Sequence, residues 1–371
     1  MRKLTLLLLM GIALPAFSAK RVTVDQLNAL LNASHRKADA RLAEQLSGLE
    51  LTERASSAKL AQWETEFPGH RTRDALMALA DSSAFLQLSE AEIPKIPAPP
   101  LAEQQRILSL AAVYVSKIIP QLPNFLATRN TTYFEDSPSQ QVYYPDISSG
   151  VFGVTEYRPL HVVGKSSTAV TYLDGREVAD SGIAKGHPSG PRSDRLTTTG
   201  EFGPILAVVV GDALHGSVNW SHWEQGIAGP EAVLHYAVPW ERSHYKLVSA
   251  CQAGIEQEFP AYHGEIAVDP ASGSVLRLML VADMDPTCLV AKANIVVEYG
   301  QVAIGGRSYN CPVKSVSLTR MPVFETPKGV QAPTAPLKTR LNDVSFDGYH
   351  LFRAESRILS GDNVKPPESN P

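Results

Sequence analysis

Tyr262-His263-Gly264-Glu265-Ile266-Ala267-Val268-Asp269-Pro270-Ala271-Ser272-Gly273-Ser274-Val275-Leu276-Arg277 is the stretch that decides the fold. Two β-type runs flank Asp269-Pro270-Ala271-Ser272-Gly273. In that turn Asp can bond its own backbone, Pro fixes φ, and Gly tolerates a left-handed conformation. Strands joined by so short a connection must be antiparallel.

Working outward, residues 218–225, 232–238, 244–250, 294–299, 301–304, 308–319, 339–346 and 349–358 also read as strands. Gly305-Gly306 and Asp347-Gly348 serve as hairpin connections. Upstream, residues 125–134, 158–163 and 169–173 are strands, with Asp174-Gly175 as a turn, and 181–200 is a loop rich in Gly, Pro, Ser and Thr. Residues 204–214 are ambiguous, since Val208-Val209-Val210 suits a strand. Their length and the Gly203-Pro204 start signal favour a helix.

Before residue 120 the apolar period is helical. Thr23 and Gln26 form a capping box ahead of Leu27, Leu30, Leu31, Ala38, Leu42 and Leu46, and Ser47-Gly48 closes that element. Ser56 or Ser57 opens a second helix through Leu60, Trp63 and Phe67. A third centres on Leu76, Leu79 and Ala80. Pro94, Pro97, Pro99 and Pro100 make an extended connector, and a fourth helix runs from Leu101 to Ile119. These helices can bundle together or pack on the sheet.

The first residues are a leader: Arg2 and Lys3, an apolar run from Leu4 to Leu14, then Ala16-Phe17-Ser18. Cleavage between Ser18 and Ala19 is expected, with a periplasmic or extracellular mature protein. Losing Arg2 and Lys3 takes the formal charge from −4 to −6. No basic block suits nucleic acid, and no later run is long and apolar enough for a transmembrane helix. Cys251, Cys288 and Cys311 lack metal or redox spacing. At most one intramolecular bridge is expected, with Cys251–Cys311 the preferred pair because both lie in strand runs.

Trp220-Ser221-His222-Trp223-Glu224 is the densest chemical string. Strict alternation puts Trp220, His222 and Glu224 on one face and Ser221 and Trp223 on the other. Ser221 and His222 then point apart, a poor nucleophile–base pair. Trp220 or Trp223 is a candidate for lining a ligand groove. His222-x-Glu224 and His263-x-Glu265 would hold a metal only if their strands were close neighbours, with zinc the first candidate. Solvated strand faces often carry such pairs, so no metal and no cofactor are assigned.

The hairpin quoted above resembles that of bacterial lipoprotein-carrier proteins, and 297–302 and 309–313 have a similar cadence. That resemblance implies a half-barrel whose concave apolar face, closed by a helix, holds acyl chains or senses envelope lipids. The chain as a whole, including residues 49–54 and 341–346, also resembles an uncharacterised family of exported bacterial proteins.

The expected architecture is α+β. A leader (1–18) precedes a helical region (19–120, connector at 94–100). A large curved, mostly antiparallel, half-barrel-like sheet with one covering helix follows (121–360), then a disordered tail (361–371). The expected function is non-catalytic binding of a lipid or other apolar or amphipathic ligand in the cell envelope. A secreted hydrolase, metal-dependent through His222, Glu224, His263 and Glu265, is the rival. A protein-interaction module with a structural sheet and an envelope partner is the third reading.

Overall fold

The computed structural model describes residues 19–138, 141–143, 152–154, 157–178, 201–226, 228–251, 254–286, 290–322 and 337–352. The leader, Cys288, the 181–200 loop and the 361–371 tail lie outside the described residues.

In chain order the elements begin with β1 (Lys20–Val22), α1 (Val24–Asn32), α2 (Asp39–Ser47), β2 (Leu49–Leu51), α3 (Ser57–Glu66), α4 (His70–Ser83) and α5 (Leu101–Val113). There follow β3 (Phe125–Ser137), β4 (Gln141–Tyr143), β5 (Phe152–Val154), β6 (Arg158–Leu173), β7 (Arg176–Val178) and α6 (Pro204–His215). The rest is β8 (Ser217–Gln225), β9 (Pro230–Val238), β10 (Leu247–Cys251), β11 (Gly254–Glu258), β12 (Ala261–Val268), β13 (Val275–Asp283), β14 (Lys292–Ile304), β15 (Arg307–Pro322) and β16 (Leu337–Leu351).

Ten strands form one antiparallel sheet in the order β7-β6-β3-β16-β15-β14-β13-β12-β9-β8. The architecture is α+β, and the sheet does not close into a barrel. β12 to β16 form the meander. β3 then pairs with β16, and β8 forms the edge beyond β9.

The hairpin that anchors the meander is built as its residues dictate. Asp269 Oδ1 accepts from Ala271 N at 3.0 Å, and Ser272 Oγ donates to Asp269 Oδ2 at 2.6 Å. Gly273 has φ +75°, and a Cβ there would lie 2.4 Å from the Leu110 carbonyl carbon of α5. Both the conformation and the close approach require glycine.

Three pairs of expected strands are single strands. Residues 294–299 and 301–304 merge into β14, and 158–163 and 169–173 into β6. The register shifts once in β14, at Glu298/Tyr299. Asp347-Gly348 is no hairpin turn: it sits in a bulge where β16 resumes pairing with β3 at His350↔Leu126. A glycine at φ +61° serves a bulge as well as a turn, so composition does not separate the two. Strand 244–250 is shorter than expected and pairs with β11 in a separate two-stranded sheet.

The first expected helix is two, α1 and α2, divided at residues 33–38. The Thr23–Gln26 capping box forms, and Ser56 caps α3 through Lys59 N. α1 to α4 enclose their own core around Leu27, Leu31, Leu46, Trp63 and Leu76. α5 does not join them. Its Ile107 and Ala111 pack with α6 residues Leu206 and Val209 against the sheet. α6 starts with Pro204 at its first turn, as its start signal dictates. The face expected to carry one helix thus carries two.

Candidate functional site

β8 is where the chemistry concentrates, and a bulge sorts it. The β8–β9 register runs Trp220↔Leu234, then His222↔Val233, so Ser221 is the extra residue. An extra residue reverses the alternation beyond it. Trp220 and Trp223 therefore share one face, packed against the core beneath α5 and α6. His222 and Glu224 share the other, which faces the N-terminal helices. The expected grouping of Trp220 with His222 and Glu224 is corrected on this ground. So is the expected divergence of Ser221 and His222, whose Oγ and Nδ1 lie 2.9 Å apart.

On the aromatic side, Trp220 and Trp223 meet edge to face, with centroids 4.8 Å apart and planes at 67°. Trp223 Nε1 donates to Pro97 O at 3.0 Å. The proline-rich connector therefore passes Trp223 as it links α4 to α5.

On the opposite side Glu224 takes both ends of a guanidinium: Arg54 Nη1 and Nη2 reach Oε1 and Oε2 at 3.0 and 2.8 Å. Arg277 Nη2 also donates to Glu224 Oε2, at 2.5 Å, and lies 3.8 Å from Glu265 Oε2. Burial alone would raise the Glu224 carboxyl, but Arg277 and Arg54 overcome it and hold its pKa at about 2. Burial lowers the pKa of His222 against the pull of Glu265 and Glu224. Burial, then the charge of Glu224, pushes Glu231 up to about 7.

His222, Glu224, His263 and Glu265 do not converge on a metal position. Two guanidiniums neutralise the carboxylates, and His263 turns to Asp283 at 3.1 Å. No group of three or more metal-ligating side chains occurs among the described residues. Cys311 is a free, buried thiol beside Phe125 and Tyr172, so the preferred Cys251–Cys311 bridge is not formed. Burial pushes that thiol up to about 12.

A second ionic group lies along the same face. Lys314 Nζ on β15 meets Asp81 of α4 at 2.7 Å and Asp343 of β16 at 3.0 Å. Burial raises the Asp81 pKa, opposed by Lys314 and reinforced by Asp343. Between the two ionic groups a shallow, open cleft with a cavity volume of about 30 Å³ lies between α3 and α4 on one side and β13, β14 and β15 on the other. Leu60, Ala84, Val296 and Val316 give it apolar walls, while Arg54, Arg277, Glu298 and Lys314 give it charged ones. Arg54 Nε and Arg277 Nη1 are buried and have no hydrogen-bond partner.

Sequence reasoning missed Arg54, Arg277, Lys314 and Asp81. Arg277 is a lone charge in an apolar run, whereas Arg54 stands directly after Glu53. For Arg277 the signal was present: strand alternation places it inside the meander, where a charge needs a partner. Asp212 of α6 accepts from His244 N and Tyr262 OH, both at 2.7 Å, and fixes the loop after β9.

Comparison with family models, curated proteins and solved structures found no match to this chain.

Proposed function

We propose that this is an exported, non-catalytic binding protein of the cell envelope that holds an amphipathic ligand in the cleft between α3, α4 and the sheet. The observation that carries the reading is the pair of buried, unpartnered guanidinium N–H groups on Arg54 and Arg277, both cleft-lining residues. A buried donor left unmade costs about 1–3 kcal/mol, which a ligand oxygen would recover. Glu224, Glu265, Glu298, Asp81 and Asp343 outnumber Arg54, Arg277 and Lys314 around the cleft. That balance suits a neutral acceptor, such as an ester or amide carbonyl, better than a full anion. The apolar walls suit a short attached hydrocarbon entering from the open mouth, on the face opposite the one that the lipoprotein-carrier resemblance implies.

The test is native mass spectrometry of the full chain purified from its own envelope, beside Ala84→Trp. Ala84 lines the cleft but takes no part in the ion pairs. The wild type should carry an added mass that Ala84→Trp lacks at an unchanged melting temperature. A wild type with no added mass, or an Ala84→Trp protein that keeps it, would overturn the reading.

A further inference from the structure

We infer that the Trp220–Trp223 pair on β8 is a recognition site for an extended proline-rich segment of a partner protein, a site that the chain's own connector occupies. Residues 93–100 read Ile93-Pro94-Lys95-Ile96-Pro97-Ala98-Pro99-Pro100. At both ends the backbone is close to polyproline II: φ −78°, ψ 120° at Ile93 and φ −55°, ψ 152° at Pro100. A polyproline II segment makes no internal hydrogen bonds, so its carbonyls are free to accept from a neighbour. Here one does, since the Trp223 indole N–H donates to Pro97 O at 3.0 Å. Proline-rich segments are held in general in aromatic-lined grooves, and here the aromatic pair meets the connector through that one indole–carbonyl bond.

The connector is an imperfect occupant. Ile96 N bonds to Pro94 O at 2.8 Å, which bends the chain at Lys95. The Pro94-x-x-Pro97 spacing would set both rings on one edge of a regular polyproline II helix, which has about 3 residues per turn. The bend spoils that alignment, so a straight segment could present both prolines where the connector presents Pro97. Pro97 is itself exposed, and both tryptophans are only partly buried, so the contact lies at the surface. β8 is also an edge strand, with nothing beyond it in the sheet. Covalent attachment gives the connector an effective concentration on the order of millimolar, which a partner must exceed. Displacement would also free the link between the N-terminal helices and α5, so occupancy of the aromatic side would reach the cleft on the other.

The experiment follows the Trp223 indole N–H resonance in the full chain. The probe is a synthetic peptide with the sequence of residues 93–101, and its proline-to-alanine counterpart is the control. In Pro94→Ser/Pro97→Ser/Pro99→Ser, which loosens the connector, the peptide should shift that resonance with at least tenfold higher affinity than in the wild type. The wild type should respond only at millimolar peptide. Trp223→Phe, which keeps a ring but removes the donor and is followed through the neighbouring Trp220 indole N–H resonance, should weaken binding at least tenfold. If the triple variant does not fold, the wild-type titration decides. An unmoved resonance at millimolar peptide, or equal binding of the alanine control, would overturn the proposal.

Discussion

The two faces of the ten-stranded sheet are covered by different chemistry. Under α5 and α6 the contact is almost wholly apolar: Leu206, Val209, Tyr236, Val268, Leu278 and Leu280 are among the side chains sealed there. Under α3 and α4 a smaller apolar patch around Ala78, Met279, Val316 and Leu341 is flanked by the Arg54–Glu224–Arg277 and Asp81–Lys314–Asp343 groups. Apolar burial is tolerant of partner and angle, and contributes about 25 cal/mol for each Å² removed from water. Buried ion pairs must first offset desolvation, so they add little net stability but penalise any arrangement that leaves a charge alone. The first face holds the fold together. The second selects one placement of the N-terminal helices on the sheet.

The sharpest way to break this comparison is to remove charges singly and then together. Arg277→Met alone leaves Glu265 buried without its cation and Glu224 with Arg54 as its one remaining guanidinium, and should cost about 3–5 kcal/mol in urea denaturation. Replacing Arg54, Glu224, Arg277 and Glu265 together by Met or Leu should bring stability back to near the wild-type value or above it. On the other face, Leu206→Ala should cost about 2–5 kcal/mol with no such rescue, because the loss is a cavity. A quadruple variant as unstable as Arg277→Met would show that the ionic layer contributes net stability after all.

A smaller effect comes from pH. Glu231 holds a pKa of about 7 against an ordinary 4.5, so the native state binds its proton more tightly than the unfolded chain. Its contribution is therefore complete below pH 4.5 and is lost as pH rises through 7. Glu231→Gln should remove that loss, narrowing the fall in unfolding free energy between pH 5 and pH 8 by about 1 kcal/mol, since the side chain is partly exposed to screening solvent. A pH profile that Glu231→Gln leaves unchanged would place the titration elsewhere on the ionic face.

The smallest effect sharpens the comparison at the N-terminal helices. Thr23→Ala removes the α1 cap and should cost about 0.5–1 kcal/mol. If the ionic face couples those helices to the sheet, hydrogen exchange in α1 and in β14 should quicken together. Quickening confined to α1 to α4 would mean that they open by themselves.

What the sequence made legible was what neighbours in the chain decide. The caps at Thr23 and Ser56, the Gly203-Pro204 start of α6 and the Asp269–Gly273 turn are each written within five residues, and each stands as read. Long-range pairing was not legible. Arg54 finds Glu224 across 170 positions, and nothing at either site encodes that distance. The bulge at Ser221 was hidden because no glycine marks it, and a strict period of two mis-sorted every side chain beyond it. Gly300 and Gly348 misled in the other direction, since the chain passes through both without leaving its strand.

That extra residue in β8 also bears on how the strand tolerates change. Ser221 has no cross-strand partner in the β8–β9 register, and the residues on either side are already sorted to the faces they would occupy in an uninterrupted strand. A chain that lacked Ser221 altogether would keep Trp220 and Trp223 inward of α6 and His222 and Glu224 toward Arg54. It would lose only the local twist and the serine hydroxyl beside His222. Deletion of Ser221 is thus gentler than deletion of Trp220 or His222, which would straighten the strand equally but remove a side chain that serves one of the two surfaces. Position 221 works as an insertion that the sheet has absorbed, free to vary in chemistry while its neighbours are held to the two surfaces they serve.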